Sequence, residues 1–455
     1  MATKVETAAR TGTSRVNREI LRAAVSVSAT GIVVKIAASL KEITVAGVYG
    51  RSDVMDAFLA AALIPNLLVN LISESMNQAL VPTLIRVREQ EGRERARELL
   101  SSSMVWMCML LIGASAAMAL GAHGIFPLIA SRFPPAKLAL SIHLFYALLP
   151  IVIVTGIATN CTAVLNTVDR FALPALAPIV ISIAIIAGAL LLASRYGIWA
   201  MVYSTLAGSL LHVGMVAWMM SAHGYPFRLR WYGMTEATRT VGRQYGPVLL
   251  SGVVASGGLL VDQSMAAMLP AGSVSALVYA NRFVGVVLTL LGGAISTAIV
   301  PYFSRMVARR DWASTRQTLR NWTWLAALAS VPIAALLIGG AHALVRIAFQ
   351  HGAFGPRDTA IVARVLAMYA VQIPFFVTSR VFYRFLVAML RTDLVLYCGV
   401  INLALDVILN VVLMRRYGVA GIALATSLWT VSTFFFLGYW ARKLLRQAEL
   451  KTIEL

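Results

Sequence analysis

Twelve apolar stretches, each long enough to cross a lipid bilayer, leave this chain almost no choice of fold. They lie at about 23–49, 54–82, 99–121, 139–165, 172–194, 198–220, 247–270, 275–303, 322–347, 359–390, 393–414 and 419–440. A spanning helix needs about 20 apolar residues, and in lipid its backbone polar groups must be satisfied within the segment. Composition agrees: over 455 residues, 59% are hydrophobic and 13% charged, with a mean hydropathy of +0.79. Soluble domains hold about 45–50% apolar and about 25% charged residues. An all-α polytopic membrane protein is expected, which excludes a soluble enzyme, a disordered protein and a disulfide scaffold. Linkers this short also exclude an extramembrane catalytic domain. Cys108, Cys161 and Cys398 lie in apolar stretches without paired spacing and read as small buried hydrophobes. The polar, basic first twenty or so residues lead straight into span 1, so no cleaved signal peptide is expected.

Charge sets the orientation. The net charge of +20 would suggest nucleic acid in a soluble protein, but here the basic residues sit between apolar segments. Assigning linkers to alternate sides places 25 Lys and Arg on one side, with both tails and the linkers around Arg97, Arg243 and Arg320. The other side has 7: Arg51, Arg132, Lys137, Arg195, Arg357, Arg415 and Arg416. By the positive-inside rule both termini are cytoplasmic.

The chain also repeats itself. Val81-Pro82 recurs as Val300-Pro301, an offset of 219, and Pro150 and Asp169 recur as Pro374 and Asp393, an offset of 224. Arg195-Tyr196-Gly197 returns as Arg416-Tyr417-Gly418, an offset of 221. Near-constant offsets predict two parallel six-helix lobes, 23–221 and 247–441, around a central cavity. A cytoplasmic linker at 222–246 joins them, and cytoplasmic tails cover 1–22 and 442–455. Two rocking lobes with a site between them are the plan of a transporter.

Seven cations remain inside the spans: Lys35, Lys41, Arg282, Arg346, Arg364, Arg380 and Arg384. Each costs roughly 2.5–3.5 kcal/mol at mid-membrane on insertion scales. Arg346 and Arg364 lie near span ends and can snorkel. Arg380 and Arg384 share one face of span 10, where snorkelling and a cavity lining are equally open readings. Lys35 lies thirteen residues beyond Arg22, about 20 Å along a helix, beyond comfortable snorkelling. Lys35, Lys41 and Arg282 read either as ion pairs with nearby acids or as a cationic cavity for an anionic headgroup such as a diphosphate. Glu42, Asp56 and Glu74 are the acids of the first half and candidate cavity or gate residues. Pro65, in the middle of span 2, is a kink that serves packing or a gate hinge.

No His-Glu-x-x-His, Walker loop, Gly-x-Ser-x-Gly elbow or Cys/His cluster is present, so no catalytic residue or cofactor is expected. His143 and His212 read as satisfied core residues. Asn402 and Asp406 share a helical face, and with Asp262 and Thr426 they could make an oxygen cage for a small hard cation. The alternative is that Asp262 or Asp406 pairs with Arg380 or Arg384, or stays protonated.

Several blocks together resemble the MurJ/MviN family of lipid II flippases, within the superfamily that includes drug exporters and polysaccharide flippases. These are Lys41-Glu42, Gly50, Asp56-Ala57-Phe58, Ile64-Pro65-Asn66-Leu67-Leu68, Glu74, Val81-Pro82, Leu165-Asn166-Thr167, Arg170-Phe171, Pro174-Ala175, Ala177-Pro178, Tyr279-Ala280-Asn281-Arg282 and Val300-Pro301. The resemblance implies a flippase of the bacterial inner membrane. It would move an undecaprenyl-diphosphate-linked precursor to the outer leaflet, with membrane lipids and envelope-synthesis enzymes as its surroundings. It further implies a basic cavity on spans 1, 2 and 8. Carried over, this places Lys35 and Lys41 where the family usually has Arg, and Arg282 on span 8. The span 2 Arg falls on Val69 or Asn70, and Asn281 stands where an acid usually precedes the span 8 Arg. Lysine cannot reproduce the bidentate guanidinium grip on phosphate. That keeps open the export of another lipid-linked oligosaccharide for exopolysaccharide synthesis. A cation-coupled drug exporter is the further alternative, although it would favour an acidic cavity. The resemblance also implies sodium as the ion at the oxygen cage. Family members often have fourteen spans, and the last two are expected to be missing here.

Overall fold

The computed structural model describes residues 30–167, 172–226 and 229–453, and no strand occurs among them. Twelve long helices stand where the apolar stretches predict them. They are α1 (30–49), α2 (Asp53–Gln90), α3 (Arg93–Ile129), α4 (Pro135–Asn166), α5 (Ile179–Leu191) and α6 (Trp199–Ala222). The second half holds α7 (Glu236–Ala267), α8 (Ser273–Ala308), α9 (Trp312–Gly339), α10 (Pro356–Ala388), α11 (Thr392–Tyr417) and α12 (Val419–Ile453). Ten helices among the described residues are long and apolar enough to cross a membrane. Outside that set are α1, which carries Lys35, Lys41 and Glu42, and α7, which opens with the polar Glu236, Arg239 and Arg243. Asp169 and Arg170 lie outside the described residues.

Helix ends run past the apolar stretches. The interlobe linker was expected at 222–246, yet α7 already begins at Glu236, and α12 continues to Ile453 through the expected tail. Polar residues extend a helix at no penalty once it emerges from lipid, so hydropathy marks the span and not the helix. Proline does not break α2 either: the helix runs through Pro65, and its irregularity is a π-turn at Asn70–Glu74. Such single wide turns insert one residue and are frequent at functional sites.

The chain divides into two compact units whose borders are not those of the two sequence halves. One unit comprises the described residues up to Val45, Ile64–Gly121 and Leu144–Leu250. Its core includes Met76, Leu80, Met107, Leu111, Cys161 and Val216. Within it α5 and α6 approach closely because both present small residues. A Cβ on Gly188 would stand 2.4 Å from the Cβ of Ser204. The segment before α7 is tied to the start of α3: Arg97 Nε donates to the Gly224 carbonyl at 2.7 Å, and Ser101 Oγ to that of Arg230 at 2.8 Å.

The other unit comprises Ala46–Leu63, Ala122–His143 and Ser251–Leu455. There α10 packs on α8, α9 and α12, and α11 packs on α12. Tyr279, Phe349 and Phe354 form an aromatic cluster with ring centroids 5.4–6.1 Å apart. All three cysteines are free thiols, Cys161 and Cys398 buried and Cys108 half-buried. The two histidines depart from expectation. His143 is exposed, and His212 is buried with neither ring nitrogen hydrogen-bonded among the described residues.

Candidate functional site

The cations of α1 differ from one another. Lys35 is exposed on the helix surface, with no acid against it among the described ion pairs. Lys41 Nζ lies 3.0 Å from Oε1 of the buried Glu42. Glu74 closes the π-turn of α2 and is exposed; Asn77 Nδ2 bridges its Oε2 and the Thr159 carbonyl, each at 3.5 Å. Arg282, two and a half turns into α8, is also exposed. Lys35 and Lys41 belong to the first compact unit and Arg282 to the second.

Within the second unit, a latch joins helix ends drawn from both halves of the sequence. Gly272 precedes α8 at φ +80, a left-handed conformation that favours glycine, and it offers no side chain to cap the helix. Asp56 of α2 caps it instead: its carboxylate accepts from the N–H of Gly272 at 2.6 Å and of Ser275 at 2.9 Å. Lys137 of α4 lies 3.3 Å from Asp56 and 2.6 Å from Asp53. Arg51 reaches the Asp358 carboxylate at 3.0 Å and donates to the Gly272 carbonyl at 3.1 Å. Tyr279 donates to the Gly50 carbonyl at 3.2 Å, and the Ala353 N–H to that of Gly47 at 2.7 Å. Three sequence blocks quoted for the resemblance, at Gly50, Asp56 and Tyr279, therefore meet here. Lys137 and Arg51 were read only as linker charges. Their signal was present, since Lys137 stands against two acids at the start of a span, but it needed the fold to be seen.

A second polar group is embedded among α7, α11 and α12 of the same unit. Asn410 Nδ2 donates to Asp262 Oδ1 at 2.8 Å and to Asp406 Oδ1 at 3.2 Å, and the Thr426 hydroxyl donates to Asp262 Oδ2 at 3.0 Å. Three of the four expected cage residues differ in standing from the fourth. Asp262, Asp406 and Thr426 gather around Asn410, whereas Asn402 turns its amide nitrogen to Thr433 Oγ1 at 2.8 Å. Asn410 was missed although it lies four residues beyond Asp406, the same spacing that selected Asn402. Asp406 Oδ2, Asn410 Oδ1 and Asn402 Oδ1 are buried without a hydrogen-bond partner among the described residues. Unsatisfied buried oxygens of this type fit a small hard cation. Neither acid pairs with Arg380 or Arg384 among the described ion pairs.

Arg380 and Arg384 lean on aromatic rings. The Arg380 guanidinium is 4.5 Å from the Phe376 ring and 5.9 Å from that of Tyr383, and Arg384 is 5.4 Å from Tyr383. Arg380 faces α8 at Gly292. Arg346 and Arg364, assigned to snorkelling, are exposed.

Comparison with known proteins adds the following. The family model described as lipid II flippase MurJ matches residues 45–455. The probable lipid II flippase MurJ of Buchnera aphidicola subsp. Acyrthosiphon pisum is 23% identical over 423 residues, covering 92% of this chain and 83% of that protein. The lipid II flippase MurJ of Burkholderia cenocepacia is 26% identical over 363 residues, covering 77% of this chain and 70% of that protein. A solved lipid II flippase MurJ in an inward closed conformation superposes with a TM-score of 0.79 at 22% identity, covering 94% of this chain and 90% of that one. An inward-facing multidrug resistance transporter of the MATE family gives a TM-score of 0.73 at 13% identity, covering 91% of this chain and 95% of that one. At these identities the structures speak for the fold alone.

Proposed function

The chain belongs to the MurJ family of lipid II flippases, and on that premise we propose how it works. It is a transporter and not an enzyme, a multi-pass protein of the bacterial inner membrane with a lipid-linked substrate. It carries an undecaprenyl-diphosphate-linked precursor, lipid II or a close relative, from the inner to the outer leaflet by alternating access. Both termini face the cytoplasm, as the charge count of 25 against 7 supports.

The observation that carries the mechanism is the latch. Asp56 holds the start of α8 through two backbone N–H groups while Lys137 balances its charge. Every one of these contacts can be exchanged for water once the helix ends separate, so the same groups can close and open one end of a pathway. Pro65 lies beside the border between the compact units, at Ile64, where a missing backbone hydrogen bond leaves α2 free to bend. Lys35, Lys41 and Arg282 each offer a cation to the phosphates of the substrate along its path. Charged oxygens of the headgroup and the embedded cations offset each other's desolvation. Glu42 holds the Lys41 ammonium in place until the substrate arrives.

Asp262, Asp406, Asn410 and Thr426, with the Asn402 carbonyl, would hold a sodium ion. Such an ion supplies the positive charge that the two carboxylates lack.

Purified protein in liposomes loaded with labelled lipid II tests the reading, through the rate at which label appears in the outer leaflet. Lys35→Ala, Lys41→Ala and Arg282→Ala should each slow flipping without preventing insertion, and glutamate should be worse than alanine at each position. Arg346→Ala should be silent. A triple alanine variant that flips at the wild-type rate overturns the role of these cations in carrying the phosphates.

A further inference from the structure

The basic end of α12 stands over an apolar trench that the transport reading leaves unused. The trench lies between α9, α10 and α12, encloses about 730 Å³, and runs past Trp324, Ala327, Val331, Phe375 and Phe434. Its mouth is ringed by Arg316, Arg320, Arg442 and Arg446. A neighbouring cleft of about 560 Å³ shares Phe382, Phe434, Arg442 and Arg446 with it and continues along Tyr439 and Lys443. Two apolar clefts therefore diverge from one cationic centre, at Arg442 and Arg446.

Charge and length say what fits. Arg316 is paired with Glu449, while Arg320, Arg442 and Arg446 have no ion pair among the described residues. From Arg320 to Val331 is eleven residues of α9, about 16 Å along the axis, the reach of a long acyl chain lying in the trench. From Arg446 back to Phe434 is twelve residues of α12, about 18 Å. The charge count assigns this end to the cytoplasmic side, where anionic lipids are recognised by basic pockets between spans. Snorkelling alone would place the guanidiniums in water over a filled surface, not around an open one.

We propose that this paired cleft is a binding site for an anionic diacyl glycerophospholipid, with its phosphate at Arg320, Arg442 and Arg446 and its two acyl chains in the two clefts. The bound lipid fills the space between α9, α10 and α12 and is not transported. The site holds whatever lipid the protein flips, so its failure and that of the flippase reading are separate.

Trp324 lies in the trench and reports on it. The full chain in mild detergent is titrated with phosphatidylglycerol or phosphatidylcholine carrying brominated acyl chains. The Trp324 contribution is isolated by subtraction of a Trp324→Phe variant. Phosphatidylglycerol should quench at a concentration on the order of tenfold lower than phosphatidylcholine, as several cations near one phosphate dictate. The variant Arg320→Gln/Arg442→Gln/Arg446→Gln should bring the two curves together. Should that variant not fold, Ala327→Phe, which fills the trench and keeps the cations, should weaken quenching by both lipids. Equal curves in the wild type, or unchanged curves in both variants, overturn the site. So does displacement of phosphatidylglycerol by an equal concentration of polyprenyl phosphate, which would assign the trench to the transported lipid's tail.

Discussion

The latch and the acidic group on α11 hold the same kind of side chain in opposite ways. In the latch each acid has a charge or a helix end to answer it: the buried Asp56 has Lys137 and two N–H groups, and the half-buried Asp358 has Arg51. Around α11, Asp262 and Asp406 share one neutral amide and one hydroxyl. Coulomb attraction offsets desolvation in the first region, whereas in the second nothing on the described chain does. A region balanced from within can close a pathway by itself. On the proposed function, the region that lacks charge balance takes up a cation from solution, and its state can follow an ion gradient.

Breaking the balanced region should have the largest effect. Lys137→Met leaves Asp53 and Asp56 without their cation, and loss of one partner of a buried pair costs about 3–5 kcal/mol. Thermal unfolding in detergent should show it. The double variant Lys137→Met/Asp56→Asn should recover part of the loss, since the uncompensated charge is then gone. Additive losses would mean that the pair is not coupled.

The second effect belongs to the unbalanced region. Sodium should raise the melting temperature of the wild type, by about 2.7 kcal/mol of added stability at a hundredfold excess over its dissociation constant. Asp406→Asn should abolish that response while the chain stays folded, because it removes the charge that calls for the ion. Potassium at equal ionic strength is the control. An equal response to both salts removes the ion from the mechanism.

Much of this was legible in the sequence, for a physical reason. Spans declare themselves because lipid admits only apolar helices, and twelve helices stand where hydropathy placed them. The acids Asp56, Asp262 and Asp406 could be singled out because burying any charge needs a cause. Their partners could not be read. Lys137 is 81 residues from Asp56, and Asn410 is 148 from Asp262, and periodicity carries no information on contacts at such range. Helix ends were misjudged, as at Glu236, because polar residues continue a helix outside lipid. Asn402 was preferred to Asn410 because both satisfy the same spacing rule, and only packing against α7 separates them.

Gly272→Ala should come third. At φ +80 a side chain costs about 1–2 kcal/mol, and a Cβ there would stand 2.5 Å from Arg51 Cγ. Its effect should fall on the latch alone, so the sodium response of the α11 group should be unchanged. A change in both would show that the two regions are one cooperative element.

The smallest effect sharpens what the cation adds to the cap. Asp311 opens α9 as Asp56 opens α8: each accepts the N–H of the third helical residue, Ser314 in one case and Ser275 in the other. But Asp311 caps its own helix, in full contact with solvent, with no ion pair among the described residues. Hydrogen bonding from the Ser314 side chain, and then from its N–H, holds its carboxyl below the usual carboxylate range. A carboxyl depressed in the folded state contributes stability above its unfolded value of about 3.9, and that contribution is lost as pH falls through the folded value. Wild type and Asp311→Asn should therefore melt almost together near pH 7, since asparagine caps nearly as well, and the gap between wild type and Asp311→Ala should narrow as pH falls toward 3. Asp56→Asn should behave differently: it leaves the buried Lys137 with Asp53 alone and should be destabilising at pH 7. If both asparagine variants are equally silent, the α8 cap alone holds the latch and Lys137 only fills space.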